Sequence, residues 1–287
     1  MKMLRKLIPY ISVILLVLAG CESRFRQPAK ICPGKDSVSD AMAALQSQSE
    51  NLKALRANGQ CLFEYRVEGK KKLQRENFNV KLWVNPPSEI YMQGDKPLLS
   101  KAIVLGSNER EFWLSIRPKE ISTHWWGYWY EQDLSEGLIV NPRTLLESLG
   151  IGEVETQKDW SLSNEGSYDI ISKRQQDVII KKIYIYSCDY RMRKIEFFSS
   201  DGQIVADAEL DKYKEVSDGF LIPSLIKVTT YSRDTGESML SITLDLGSIK
   251  PATITGPRRN VLFEHTPPRG IKTVYRVVNG KWFEQNQ

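Results

Sequence analysis

The chain has 287 residues, with 40 lysines and arginines against 35 aspartates and glutamates, a net charge of +5, two histidines and four cysteines. Acids and bases are interspersed, which excludes a nucleic-acid surface as a partner. The sparse histidines and the lack of a CxxC pair argue against a zinc site, and without a GxSxG, HExxH or glycine-rich phosphate loop no enzyme, metal or cofactor is expected.

In chain order, Lys2, Arg5 and Lys6 precede "LIPYISVILLVLA", an apolar run of 13 residues. That is short of the roughly 20 residues a spanning helix needs and has the length of a secretory signal core. Leu18-Ala19-Gly20-Cys21 resembles the lipobox of bacterial lipoproteins. The resemblance implies a signal peptide over residues 1–20, lipid on Cys21, and a protein held on a membrane by its acyl chains. Two or more chains suffice for stable attachment. Glu22, where inner-membrane lipoproteins of the best-known sorting systems carry aspartate, points to the outer membrane facing the periplasm. Residues 21–36, with two prolines and a glycine, read as a lipidated tether.

The first helix is expected from Ser37 or Ser39 as cap, with Asp40 in its first turn. Val38, Ala41, Met42, Leu45, Leu52 and Leu55 recur at three- and four-residue steps, and Gly59 is expected to stop the helix. The period then changes to two. Cys61, Phe63, Tyr65 and Val67 alternate with Leu62, Glu64 and Arg66. Phe78, Val80, Leu82 and Val84 do the same, as do Phe112, Leu114 and Ile116, and later Leu240, Ile242, Leu244 and Leu246. One apolar and one wet face is the pattern of an antiparallel sheet. Turn signals such as Asn85-Pro86-Pro87, Gly106-Ser107-Asn108 and Asp234-Thr235-Gly236 separate about 10–11 strands into a meander. Lys70-Lys71-Lys72 reads as a solvated hairpin tip. Asn141-Pro142 through Gly150 adds a short mid-chain helix. "DVIIKKIYIYS" (177–187) is expected to be a central strand covered on both faces. Residues 250–287 end either in a hairpin on the sheet or in a small separate arm.

The fold class is therefore mainly β (α+β): a half-open antiparallel β-barrel, or curled meander, covered by an N-terminal and a mid-chain helix. A long sheet must curl to cover its apolar face, and its concave side then forms a hollow. The candidate lining is Phe63, Tyr65, Val67, Phe78, Val80, Leu82, Phe112, Leu114, Ile116, Trp125, Trp129, Ile242 and Leu244. In "STHWWGYWY" (122–130) odd positions send Trp125 and Trp129 inward. Even positions leave His124, Trp126, Tyr128 and Tyr130 outward. Trp126 and Tyr128 are candidate rim or interface residues, since such rings suit a membrane surface or a cavity mouth. Among Cys32, Cys61 and Cys188 the candidate disulfide is Cys32–Cys61, flanking the first helix.

The element order resembles the bacterial lipoprotein-localisation (LolA/LolB-like) superfamily. The points of contact are Glu111-Phe112-Trp113-Leu114-Ser115-Ile116-Arg117-Pro118, the helix ending "LLESLG", and Phe220-Leu221-Ile222-Pro223 before a strand. The resemblance covers residues 37–249. It implies a membrane-anchored envelope protein whose cavity takes acyl chains or the lipid moiety of lipoproteins, with no chemistry and with an envelope protein as candidate partner. The alternative on the same scaffold is a sensing module, or one that binds a protein or a glycan.

Overall fold

The computed structural model describes residues 31–49, 53–66, 73–118, 122–131, 142–151, 159–217, 219–279 and 281–285. The expected signal peptide, the lipobox with Cys21, the hairpin tip at 70–72 and Val67 lie outside the described residues.

Helix α1 (Val38–Ser49) begins where Ser37 Oγ accepts the Asp40 amide at 3.1 Å and donates to the Asp40 carboxylate at 2.6 Å. That reciprocal cap satisfies an otherwise orphaned amide of the first turn. Thirteen strands follow, interrupted by one short helix: β1 (Leu55–Tyr65), β2 (Gln74–Asn85), β3 (Glu89–Lys96), β4 (Leu99–Ser107), β5 (Glu111–Ile116), β6 (Thr123–Tyr128), α2 (Pro142–Ser148), β7 (Trp160–Glu165), β8 (Tyr168–Gln175), β9 (Val178–Tyr186), β10 (Arg191–Phe198), β11 (Ile204–Ser217), β12 (Phe220–Tyr231) and β13 (Ser238–Pro251). Helix α3 (Pro257–Phe263) and the hairpin β14 (Thr273–Val278) and β15 (Lys281–Gln285) complete the described chain.

All fifteen described strands belong to one sheet, ordered β15-β14-β6-β5-β4-β3-β2-β1-β13-β12-β11-β10-β9-β8-β7. Two meanders, β1–β6 and β7–β13, join where β1 pairs antiparallel with β13. The hairpin extends the sheet by a parallel pairing of β14 on β6, so the sheet is mixed, and it does not close into a barrel. Fifteen described strands exceed the expected 10–11; β7 and β15 have no fully buried residue to mark them.

The sheet is curled, and the helices require it. Helix α2 touches β4 as well as β11 and β12. In a flat sheet β4 and β11 would stand six strand spacings, about 29 Å, apart at ~4.8 Å per spacing. A seven-residue helix is only about 10 Å long. Only bending brings both strands to it. On the concave side Ala41, Met42, Leu145, Leu146, Leu149 and Ile151 share one core with the apolar faces of β1–β6 and β8–β13. Gly150 takes φ +72°, the left-handed geometry that ends α2, and the Ile151 amide closes the helix on Leu146 O at 3.0 Å.

Two local expectations are corrected. Leu55 opens β1 instead of continuing α1, and Gly59 lies within β1 at a register shift against β13. The reason for glycine is the close approach of β13, since a Cβ there would sit 2.1 Å from Asp245 O and 2.8 Å from Leu246 Cα. Gly59→Ala is expected to cost about 1–3 kcal/mol, the range for forced overpacking, read as a lower urea midpoint with an unchanged slope. Strand β9 is covered on one side only. Ile183 and Ile185 enter the core, whereas Tyr184 and Tyr186 are half-buried beneath Lys194 and Arg193. Those cations lie over the rings and keep their charges in water, so the second face reads as apolar without being interior.

Candidate functional site

The concave wall is built by the alternation itself. On β1 and β2, Phe63, Tyr65, Phe78, Val80 and Leu82 face the core. Ile242 and Leu244 join them from β13, Phe112, Leu114 and Ile116 from β5, and Trp125 from β6. Phe63 stands opposite Ile242 and Glu76 in register, with Tyr65 at 5.2 Å and Phe78 at 6.5 Å between ring centroids. Leu114 stands opposite Trp125. Trp129, in the single turn after β6, lies 4.6 Å from Phe112, donates Nε1 to Asn108 O at 2.9 Å and has the Arg143 guanidinium over its ring at 4.3 Å. All the described lining candidates are buried and fall in one contiguous core, though not equally. Trp125 keeps 9% and Trp129 7% of its surface, against 0% for Phe63 and Leu82. Among the lining candidates the residual access is greatest at Trp125 and Trp129, with Tyr65 on β1 keeping 6%. The Trp125 indole N–H meets no acceptor among the described residues, while its ring stacks on Tyr275 at 6.3 Å and meets Trp282 edge-on at 6.1 Å.

Helix α2 is pinned over the wall by charge as well as by leucines. Lys181 of β9 lies on the buried side and meets Glu147 at 2.7 Å. The ammonium also sits over the rings of Trp160 and Phe197. Such a pair fixes the position of the helix more than it adds stability, because both ions lose water to form it.

The disulfide expectation is corrected. Cys32 bonds Cys188 in the β9–β10 turn, with Cα atoms 5.1 Å apart, and Cys61 is free. Cys61 points from β1 into the core between Phe78 and Leu244. Burial pushes its thiol up to about 12, so it stays protonated and unreactive. Cys32 is carried away from β1 because its segment runs beside β7 and β8. The Lys35 amide donates to the buried Asp169 at 2.8 Å, and Asn164 and Ser187 complete that carboxylate at 2.9 and 3.1 Å.

The outer face of β5 and β6 is a second site, and its partners were beyond the reach of the sequence. Trp126 and Tyr128 do point outward. Trp126 is half-covered: Nε1 donates to Gln285 at 2.9 Å, and His265 lies 5.4 Å from the indole. Tyr128 stacks on Tyr130 at 5.2 Å, and Tyr130 is 79% exposed. His124, although outward by parity, is fully buried, with His265 stacked against it. Farther along that face, Tyr91, Ile254, Leu262 and Phe263 form a small separate core under α3. Arg259 grips Glu89 through Nε at 3.1 Å and Nη2 at 2.6 Å, and Asn108 donates to Phe263 O at 2.8 Å. Among the described residues no cluster of three or more His, Cys, Asp or Glu side chains is arranged to hold a metal, and no helix is long and apolar enough to cross a membrane.

The fold is shared with solved structures. An outer membrane lipoprotein-sorting protein domain from Vibrio parahaemolyticus superposes with a TM-score of 0.53 at 11% identity, over 79% of this chain and 97% of that one. A LolA superfamily protein from Nitrosomonas europaea gives 0.48 at 9% identity, over 80% and 99%. No family model matches the chain, and no curated relative matches it by sequence. At these identities the likeness concerns the fold alone: the chain shares the fold of that lipoprotein-sorting domain.

Proposed function

We propose that this protein is an envelope lipoprotein, anchored through Cys21 at the outer membrane and facing the periplasm. It binds an acyl chain, or the lipid moiety of a lipoprotein, inside the curled sheet and hands it on without chemistry. The observation that carries the reading is the contiguous apolar wall from Phe63 to Trp125, on which, among the described residues, the two short helices α1 and α2 pack. A lipoprotein-sorting domain of the same fold supports it. The energetics suit a transfer protein. Each buried methylene contributes about 0.8 kcal/mol, but a chain leaving one apolar host for another gains little net, so cargo can be passed on. The β5–β6 end, where Trp125 and Trp129 retain access and an indole N–H awaits an acceptor, is where the chain enters. A lipid ester carbonyl would fill that place.

The test is native mass spectrometry of the Cys21→Ser chain, together with titration of a fluorescent fatty acid. Lipid adducts are expected, with micromolar binding of the probe. Leu114→Trp is expected to weaken that binding at least tenfold with Tm held within a few degrees. Absence of adducts and of probe binding, with Leu114→Trp sharply lowering Tm, would mean the interior is solid. A second reading, a partner or glycan site at the rim, draws on the exposed Tyr130 stacked on Tyr128. Retention on purified peptidoglycan, lost in Tyr130→Ala, would favour it.

A further inference from the structure

The sheet ends in an edge strand that is apolar on both faces. β15 has β14 as its one neighbour in the sheet order, so one row of its backbone N–H and C=O groups has no strand partner among the described residues. Edges of natural sheets are guarded by charge, proline, a bulge or short length. β15 is short, yet its centre is Trp282 and Phe283, 45% and 54% exposed. The register sends them to opposite faces. Trp282 stands opposite Val277, a residue of the main core, and meets Trp125 edge-on, so it lies on the concave side. Phe283 stands opposite Arg276, whose guanidinium lies over Trp126 on the outer face.

A third ring joins them. Tyr130 is exposed in the single turn after β6. That turn is tied to the β14–β15 hairpin, because Glu131 O accepts the Asn279 amide at 3.0 Å and the Glu131 carboxylate pairs with Arg276. Of the four exposed aromatic residues among those described, three therefore sit at this one corner of the sheet.

Shape and charge select what covers them. A protein surface packed on one face of the sheet would cover Trp282 or Phe283, not both. A strand added to β15 would satisfy its backbone and still leave both rings facing water. A bilayer interface surrounds an edge that enters it, and so covers both faces at once. Lys281 and Glu284 of β15 are opposite in sign, and Arg276 is paired with Glu131, so the corner carries no surplus charge to draw an acidic or a basic partner. Tryptophan and tyrosine, with an apolar body and a polar tip, suit the membrane–water boundary. The bare backbone row sets the depth. Such groups are not left without partners in hydrocarbon, so the edge stays among the headgroups, where water completes them.

We propose that this corner is a membrane-docking edge: β15 and the turn after β6 enter the headgroup layer of a phospholipid bilayer through Trp282, Phe283 and Tyr130. The contact is separate from the anchor on Cys21, and it turns Trp125, beside Trp282, toward the lipid. What the contact serves rests on the reading of the interior as an acyl-chain site; the docking itself does not.

The test uses residues 21–287 with Cys21→Ser, so that neither signal peptide nor acyl chain contributes. Cys32 and Cys188 are bridged and Cys61 is buried, so a cysteine introduced by Lys281→Cys or Gln175→Cys alone takes an NBD label. Gln175 is exposed at the end of β8, near the opposite edge of the sheet. On neutral phosphatidylcholine vesicles the label at 281 is expected to shift to the blue and to be quenched by headgroup nitroxides, while the label at 175 stays unchanged. Phe283→Ser, and Trp282→Ser with Tyr130→Ser, are each expected to lower vesicle partitioning at least about fivefold, since interfacial binding scales with buried apolar area, and added salt should change little. Phe283→Ser should keep the parent Tm and bind the fatty-acid probe in solution as the parent does, so that failure of docking and failure of the cargo reading are told apart. No shift at 281, equal shifts at 281 and 175, binding that requires anionic lipid and vanishes with salt, or a shift at 281 that grows with protein concentration without vesicles would overturn the proposal.

Discussion

Cys188→Ser is expected to lower the stability of this protein by up to about 5 kcal/mol, or roughly 10–20 °C in Tm for a chain of this size. The bond joins residues 156 positions apart, and closing so long a loop removes much of the freedom of the unfolded chain. It also ties down the segment leading into α1. That segment supplies the Lys35 amide to Asp169, a carboxylate with no exposed surface. If the segment detaches, Asp169 keeps Asn164 and Ser187 but loses its main-chain donor, and α1 loses the anchor that positions Ala41 and Met42 on the core. Cys32→Ser should match Cys188→Ser, whereas Cys61→Ser should leave the bridge intact. Reductant should destabilise the parent chain and not the Cys188→Ser variant. Thermal unfolding with and without reductant, alongside non-reducing peptide mapping, gives the answer. A bridge found at Cys61, or a Cys188→Ser variant as stable as the parent, would contradict the structure at this point.

What could be read from the sequence was what neighbouring residues decide among themselves. Alternation assigns faces within a strand, so Phe63, Leu82, Leu114 and Leu244 were placed on one wall before any pairing was known, and parity sent Trp125 inward and His124 outward. Leu55 was misplaced because it satisfies both periods. It follows Leu52 by three, yet it also shares a face with Ala57 across the outward Arg56, and the pairing with β2 and β13 decides the matter. Gly59 and Cys61 were misjudged for a related reason: the approach of β13 and the path of residues 32–37 are long-range facts with no local trace. The histidine contact was out of reach altogether. His124 and His265 are 141 residues apart, and the second reaches the first through the docking of α3 on Glu89 and Asn108 and of β14 on β6. A signal was nonetheless present, in that the only two histidines of the chain both neighbour segments rich in aromatics or proline.

Phe63→Ala is expected to cost about 3–5 kcal/mol, the largest loss from any single truncation on the wall. Phe63 has no exposed surface, and it sits on β1, the strand that joins the two meanders. Its ring touches Tyr65 and Phe78 and faces neighbours from β2 and β13, so removing it leaves a void that those strands cannot close without breaking register. Equilibrium urea unfolding followed by tryptophan fluorescence measures the loss, and an unchanged slope would show that the denatured state is unaffected. The comparison with Leu114→Ala and Trp125→Ala carries the functional weight. A side chain bordering empty space already lacks partner atoms on one side, so cutting it back forfeits fewer contacts. If the acyl chain enters at the β5–β6 end, Leu114→Ala should cost clearly less than the ~3 kcal/mol typical of a filled leucine site, and Trp125→Ala less than Phe63→Ala, while both weaken binding of a fatty-acid probe. Equal and full losses at all three positions would describe a wall packed solid from β13 to β6, and the space for cargo would have to be sought elsewhere.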